Sequence, residues 1–164
     1  MARFQRSRMV LLTLVLLLGC QGSAQADASM TLQVTSSDSG SGTLELSLEE
    51  LDAMDQVTFR TTTLWTDGVV TFSGVPLADI LAKAGVQGTA VEMRALNDYQ
   101  VEMPLSVLEE SVPLVATRMN GEQMSVRDKG PYWIVFPYDK SEKYQTETTY
   151  SYSIWQLARL RVID

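Results

Sequence analysis

The sequence predicts an α+β domain, with a single mixed β-sheet and a few short helices. Short runs of β-branched and aromatic residues alternate with turn signals along most of the chain. Apolar residues at helical spacing are confined to brief segments. Many short strands with few helices are typical of α+β domains, and the 164-residue length suits one hydrophobic core.

The first 26 residues have the features of a signal peptide. Three arginines without an acidic residue precede an apolar run, 9–18, which is too short to span a bilayer. Two cleavage sites remain open. Ala-Gln-Ala at 24–26 would make residues 1–26 the signal peptide, whereas 17–20 resembles a lipobox, which would remove residues 1–19 and lipidate Cys20. Both predict export to the periplasm, with contact to the membrane only if Cys20 carries a lipid.

The rest of the chain divides into a short segment and one domain. Residues 27–42 are rich in Ser, Asp, Gly and Thr, which predicts a flexible N-terminal segment containing a short strand at 30–34. The domain then covers 43–164. Alternation and β-branched content predict its strands at 43–48, 57–63, 69–72, 91–96, 101–103, 114–119, 132–136 and 160–163.

Capping signals predict the helices and hairpin dipeptides predict the turns. Ser47 with Glu50, and Ser106 with Glu109, have the spacing of a capping box, which predicts a helix over 48–54 and another brief one after Ser106. Pro76 opens a further helix with an apolar stripe, which Gly85 closes. Asp67-Gly68 and Asn120-Gly121 predict turns between strands.

The composition excludes several classes of function. The chain has no histidine, and its one cysteine is Cys20, so a Ser-His-Asp triad, a Cys-His pair and a histidine-bound zinc are excluded from the domain. Residues 27–164 hold all 20 acidic residues and ten of the 13 basic ones, a net charge of −10. Such a charge argues against nucleic acid as a partner. We therefore expect a binding protein rather than an enzyme, with no catalytic residue and no metal ligand.

Three polar loops with adjacent aromatic residues are the candidate binding segments. In the second loop, Asn97 and Asp98 either form a plain turn or read the polar edge of a flat ring, whose face Tyr99 would cover. In the third loop, Arg127 and Lys129 either pair weakly with Asp128 in water or bind an anionic or carbonyl group, with Gly130 allowing a ligand close to the backbone.

The first loop, 60–68, leaves the same choice open. Trp65 is either a core residue or a lid over a ligand, since it lies beside a turn. Trp133 and Trp155 are predicted to lie in the core. Polar side chains near these loops complete the set of candidates: Arg60, Thr62 and Asp139.

Four segments together resemble the sulfite-oxidase-type molybdopterin-binding domain. They cover almost the whole domain in the family's order: 72–85, 95–105, 127–137 and 155–157. The resemblance implies a sulfite-oxidase-like fold. Enzymes of this family hold molybdenum through a protein cysteine and bind the cofactor with a histidine, and this domain has neither. The resemblance therefore favours a free, reduced pterin over the molybdenum cofactor.

Small exported members with the second and third loops look like periplasmic pterin-binding regulators. The resemblance implies that the loaded protein acts on the periplasmic part of an inner-membrane signalling protein of cyclic-di-GMP metabolism. Trp65 and Tyr99 would then contact the ring faces of the pterin, Asn97 and Asp98 its polar edge, and Arg127 and Lys129 its carbonyl or hydroxyl groups. Two alternatives remain: a molybdopterin-dependent oxidoreductase, and an interaction module without a small ligand.

Overall fold

The strands of the domain form two five-stranded sheets around a common core. The computed structural model describes residues 31–37 and 42–164, so the predicted signal peptide, Cys20 and part of the predicted flexible segment lie outside the described residues. The predicted α+β class is confirmed. The strands are divided between two sheets, however, where the sequence predicted one mixed sheet. Among the described residues, no helix has the length and hydrophobicity needed to span a membrane.

The first sheet is mixed. Its strands are β1 (Leu32–Ser36), β2 (Leu44–Leu46), β5 (Ala90–Ala95), β6 (Gln100–Pro104) and β10 (Leu157–Ile163). They lie in the order β2-β1-β10-β5-β6, and only the β1–β10 pair is parallel. In the register of that pair, Gln33 lies opposite Arg159 and Thr35 opposite Arg161.

The second sheet is antiparallel. Its strands are β3 (Val57–Thr61), β4 (Val70–Pro76), β7 (Leu114–Met119), β8 (Glu122–Gln123) and β9 (Trp133–Val135). They lie in the order β3-β4-β7-β8, and β9 also pairs with β7. Asn120 and Gly121 both have positive φ angles, 53° and 86°, and join β7 to β8 as the sequence predicted.

Alternation along the strands explains how the core is filled. On β5, Val91, Met93 and Ala95 are buried, while the residues between them face outward. Strand β9 is buried at every position, as its uninterrupted apolar sequence indicates. The largest side chain of the core, Trp133, lies on this strand and is fully buried, as the sequence predicted. The core therefore lies between the two sheets, and the loops at the strand ends remain free to form a site.

Three short α-helices complete the fold: α1 (Leu48–Asp52), α2 (Leu77–Ala84) and α3 (Glu147–Tyr152). The predicted capping box of α1 is present, with the Ser47 hydroxyl accepting from the N–H of Glu50. Helix α2 ends at Gly85 in the left-handed conformation that only glycine adopts readily. The sequence did not predict α3.

The second predicted capping box is wrong. Residues Leu105–Val107 form a single 3-10 turn after Pro104, and no side chain caps it. The chain becomes extended at Leu108, which leaves no helix for a Ser106 cap to start. The Glu109 carboxylate instead accepts from Lys143 Nζ at 2.8 Å.

The two serines provide a matched pair of stability measurements. We expect Ser47→Ala to lower the free energy of unfolding by about 1 kcal/mol, because the N–H of Glu50 loses its acceptor. Ser106→Ala removes a hydroxyl from an exposed position without a cap and should leave that free energy unchanged. Urea denaturation of both variants measures the difference. Equal losses would contradict the assignment of these two caps.

Candidate functional site

A cavity of about 350 Å³ lies where the end of β5 meets the segment between α3 and β10. Its size is at the lower end of the range found for small-molecule sites, about 300–1,000 Å³. Trp65 reaches it from the loop after β3. The residues that line it are Trp65, Ala95, Asn97, Tyr99, Tyr150, Ser151, Ser153, Ile154 and Trp155.

Trp65 is the centre of an aromatic cluster that forms one wall of the cavity. Its ring meets those of four others edge-on, at centroid distances of 5.7 Å to Trp155, 5.9 Å to Trp133, 6.0 Å to Tyr150 and 6.4 Å to Tyr138. Edge-to-face packing of this kind is favourable beyond simple burial. Trp65 is partly buried, so it combines the two roles that the sequence left open: it packs on the core and lines the cavity.

The prediction that Trp155 lies in the core is wrong. It is 37% exposed and lines the cavity, although its ring also packs against Trp133 at 6.5 Å. The reason is local, because Trp155 lies in the short connection between α3 and β10, and Gln156 after it has a positive φ of 53°. Trp155 therefore gives the cavity a second large ring beside Trp65.

Asn97 and Tyr99 lie in the cavity wall, as the prediction of a ligand site in the second loop requires. The Asn97 side-chain oxygen accepts from the N–H of Tyr99 at 3.1 Å, which orients the amide and leaves its NH₂ group as a donor. Tyr99 is 54% exposed, so its ring is accessible at the cavity. This loop thus offers one polar edge and one ring face to a bound molecule.

Asp98 lies between these two residues but faces away from the cavity. Its φ is 64°, and its side chain is 82% exposed. It forms an ion pair with Arg94 at 3.5 Å. The structure therefore does not place Asp98 where its expected role, reading the edge of a ligand, requires it, because Asp98 is absent from the cavity wall and pairs with Arg94.

The third loop lies beside the aromatic cluster, outside the cavity wall. Lys129 Nζ is 5.7 Å from the centroid of the Trp133 ring. Arg127 is exposed in the 3-10 turn Val126–Asp128. Gly130 donates its N–H to the carbonyl of Ser125 at 2.7 Å, so that group is already used within the loop. Of the three residues, Lys129 lies where its ammonium group can approach a ligand bound against the tryptophans.

Gln156 holds the second and third loops together. Its N–H donates to the Lys129 carbonyl at 3.0 Å, and its side-chain amide donates to the Val126 carbonyl at 2.7 Å. Its own carbonyl accepts from the N–H of Leu96 at 2.9 Å. The two loops therefore form one continuous surface beside Trp155, although they are about 30 residues apart in sequence.

The three further candidates are placed elsewhere. Arg60 is exposed on β3. Thr62 and Asp139 bind each other, since one Asp139 oxygen accepts from the Thr62 N–H and the other from its hydroxyl, both at 2.6 Å. These bonds join the end of β3 to the 3-10 turn Tyr138–Lys140. Asp139 therefore orders the backbone at the end of β3, and the pair is absent from the cavity wall.

The Thr62–Asp139 pair predicts a pH dependence. The hydrogen bonds from the Thr62 side chain and N–H lower the pKa of Asp139 below its usual 3.8. The folded state thus binds fewer protons than the unfolded state, and the stabilisation is complete above pH 3.8 and is lost as the pH falls through the folded pKa. We expect Asp139→Asn to lower Tm at pH 7 and to lose less Tm than the wild type on acidification. Asp67→Asn, in the same loop as Thr62, is the control; parallel Tm curves for wild type and Asp139→Asn would contradict the assignment.

Sequence reasoning missed the wall formed by α3 and the residues after it. Tyr150 and Ser151 lie on α3, while Ser153 and Ile154 follow it. Ser153 is buried, and its hydroxyl bonds the Tyr138 hydroxyl at 2.6 Å. Burial raises the pKa of Tyr138 to about 12, so this contact stays between neutral groups. The one available signal was the dense run of hydroxyl and aromatic side chains at 146–153.

The donor set tests whether a metal fits this structure. Residues 31–37 and 42–164 contain neither cysteine nor histidine, and within them no three acidic residues come together in a metal-binding group. These residues therefore offer a metal neither a thiolate nor an imidazole ligand. The cavity, with its aromatic wall and one amide edge, fits a flat heterocycle.

The chain belongs to the oxidoreductase molybdopterin binding domain family, whose model matches residues 21–140. A solved structure with a similar fold is that of the sulfane dehydrogenase SoxCD from Paracoccus pantotrophus, at 18% identity and a TM-score of 0.62. The match covers 82% of this chain and 38% of that one, so this chain spans well under half of its structural relative. No curated protein sequence matches the chain significantly. The sulfite-oxidase-like fold that the resemblance implied is thereby confirmed.

Proposed function

We propose that this protein is an exported binding protein for a reduced pterin that carries no molybdenum. In this proposal the loaded protein regulates a membrane signalling protein of cyclic-di-GMP metabolism. One observation supports this choice of ligand. The domain belongs to a molybdopterin-binding family, yet its described residues include no cysteine or histidine, and its cavity is aromatic with a single amide edge. The family supplies the ligand class, and the donor set argues against the metal.

The cavity wall supports a flat, polar-edged ligand. Trp155 and Tyr99 are both partly exposed at the cavity, and each ring presents apolar area to a heterocycle. The NH₂ group of Asn97 can donate to a ring nitrogen or carbonyl of a pterin. Lys129 Nζ, beside Trp133, can approach a carbonyl or hydroxyl group at the outer end of the ligand.

The missing donors argue for a binding role without redox chemistry at a metal. A thiolate ligand from the described residues is excluded by composition. A reduced pterin held in an aromatic cavity without a metal can still serve as a signal, because its binding stabilises one state of the domain. The regulatory role and the signalling partner rest on the resemblance of the second and third loops to periplasmic pterin-binding regulators.

Anaerobic titration with tetrahydrobiopterin tests the ligand. We expect saturable binding by calorimetry at one site per chain, and no molybdenum by elemental analysis of protein purified from a host that makes the molybdenum cofactor. Tyr99→Ala should weaken binding about twofold to tenfold, because an aromatic contact contributes about 0.5–1.5 kcal/mol.

Asp98→Asn is the matched control for that titration. Asp98 neighbours Tyr99 but faces solvent, so the affinity of the Asp98→Asn variant for tetrahydrobiopterin should equal that of the wild type. An equal loss of affinity in Tyr99→Ala and Asp98→Asn would mean that the ligand does not bind at the cavity wall. Stoichiometric molybdenum would favour the oxidoreductase alternative, and the absence of any binding would favour the interaction module.

The regulatory part requires a measurement in cells. Deleting the gene in the native bacterium should change the cyclic-di-GMP level, and the wild-type gene should restore it. A Tyr99→Ala gene should restore it only partly, because the loaded fraction of the protein falls with its affinity. An unchanged cyclic-di-GMP level on deletion would contradict the signalling role and leave the ligand assignment in place.

A further inference from the structure

A second concave site lies on the outer face of the first sheet. It is a groove of about 410 Å³ lined by Gln33, Thr35, Glu92, Arg94, Arg159 and Arg161. These residues lie on β1, β5 and β10 and point away from the core, since their neighbours Val34, Met93 and Leu160 are buried. None of the six lines the aromatic cavity. The arginine groove is therefore a separate feature of the fold.

The groove gathers positive charge in a strongly acidic chain. It holds three of the ten basic residues of 27–164, a segment with a net charge of −10. Its one carboxylate, Glu92, accepts from Arg161 at 3.0 Å and lies 4.0 Å from Arg94. Among the described residues, the Arg159 side chain has no hydrogen bond or ion pair. The lining residues thus sum to a charge of +2.

The register of the sheet places two of these cations against each other. Arg94 on β5 lies directly opposite Arg159 on β10. Like charges at directly opposed positions of an antiparallel pair are destabilising. Arg94 is drawn toward Gln100 at 2.6 Å and Asp98 at 3.5 Å, while Arg159 stays uncompensated between Arg94 and Gln33. An anion in the groove would remove this repulsion.

We propose that the arginine groove binds a phosphate group, either as inorganic phosphate or as part of a phosphomonoester. A phosphate monoester carries a charge of about −1.5 to −2 at pH 7, which matches the +2 of the lining side chains. Guanidinium groups bind phosphate oxygens through paired, charge-assisted hydrogen bonds. Arg159, without a competing carboxylate, makes the primary contact, and Arg161 and Arg94 approach the remaining oxygens. This proposal is independent of the pterin site.

Calorimetric titration with inorganic phosphate and with ribose 5-phosphate tests the groove, at constant ionic strength set with sodium chloride. Arg159→Gln should weaken the binding of both probes at least tenfold. Lys83→Gln removes one positive charge from α2, outside the groove, and should leave both affinities unchanged. Ribose 5-phosphate binding at least tenfold tighter than phosphate identifies a phosphomonoester as the ligand, whereas equal affinities identify the phosphate group alone.

The stability of the unliganded variant provides the second measurement. If Arg94 and Arg159 repel each other, Arg159→Gln should fold and have a Tm equal to or above that of the wild type in low-salt buffer without phosphate. Addition of phosphate should raise the Tm of the wild type and leave that of Arg159→Gln unchanged. Equal phosphate affinities for wild type and Arg159→Gln, or an equal response to sodium chloride alone, would overturn the proposal.

Discussion

Replacing Gly130 with alanine should lower the free energy of unfolding by about 3 kcal/mol, at the upper end of the cost of overpacking. A Cβ atom at this position would lie 1.8 Å from the Met124 carbonyl oxygen and 2.4 Å from its carbonyl carbon. Both atoms belong to the backbone, so no side-chain rotation relieves the clash. Gly130 is also buried, and its N–H bonds the Ser125 carbonyl. Urea denaturation measures the loss.

This result would separate two roles for the glycine. The sequence suggested that Gly130 lets a ligand approach the backbone, which predicts lost affinity in a domain of normal stability. In the structure, the absence of a side chain at Gly130 instead lets the Met124 backbone pack against it. Gly42→Ala is the control, because nothing lies within 4 Å of its added Cβ. A Gly130→Ala domain as stable as Gly42→Ala would contradict the packing role.

Trp65→Ala should have the second large effect, because it removes the centre of the aromatic cluster. Truncating a tryptophan in a packed environment costs about 3–5 kcal/mol, and we expect about 3 kcal/mol here since Trp65 is only partly buried. Four rings lose their edge-on contact at once. The cavity also loses one wall, so affinity for tetrahydrobiopterin should fall more than tenfold in whatever fraction remains folded.

Trp65→Phe distinguishes the two contributions. A phenylalanine keeps a ring near Trp133 and Tyr150 and should restore most of the free energy of unfolding. The smaller ring covers less of the cavity, so tetrahydrobiopterin binding should stay weaker than in the wild type. Trp65→Ala with wild-type stability would mean that the cluster packs independently of Trp65. Wild-type affinity in Trp65→Phe would mean that the ligand does not contact this wall.

The elements that the sequence predicted best are those with a local cause. Strand β7 has the predicted bounds, 114–119, because apolar residues end at the Asn120-Gly121 turn. Helix α1 has its capping box because Ser47 and Glu50 contact each other within one turn. Ser106 has the same spacing to Glu109, yet that glutamate binds Lys143, 34 residues away. The contact of Glu109 with a distant residue therefore replaced the capping box, and no local sequence pattern predicts such a contact.

The same distinction applies to the candidate site. Trp65, Asn97 and Tyr99 were candidates because aromatic and amide residues stood at turns between strands, and all three line the cavity. The position of the Asp98 carboxylate depends on its pairing with Arg94, and the exposure of Trp155 depends on how α3 leads into β10. The arginine groove could not be predicted from the sequence, because Arg94 and Arg159 lie on strands that are distant in sequence and become neighbours only through the register of the sheet.

The central position of β10 in the first sheet determines when that sheet can form during synthesis. Strand β10 holds residues Leu157–Ile163 and separates β1 from β5, which pair with it from either side. Until the ribosome has released these residues, β1 and β5 each keep an open edge. Joining β1 to β10 also closes a loop of more than a hundred residues, and such pairings form slowly. The first sheet can therefore be completed only after β10 has been synthesised, whereas every strand of the second sheet is made earlier.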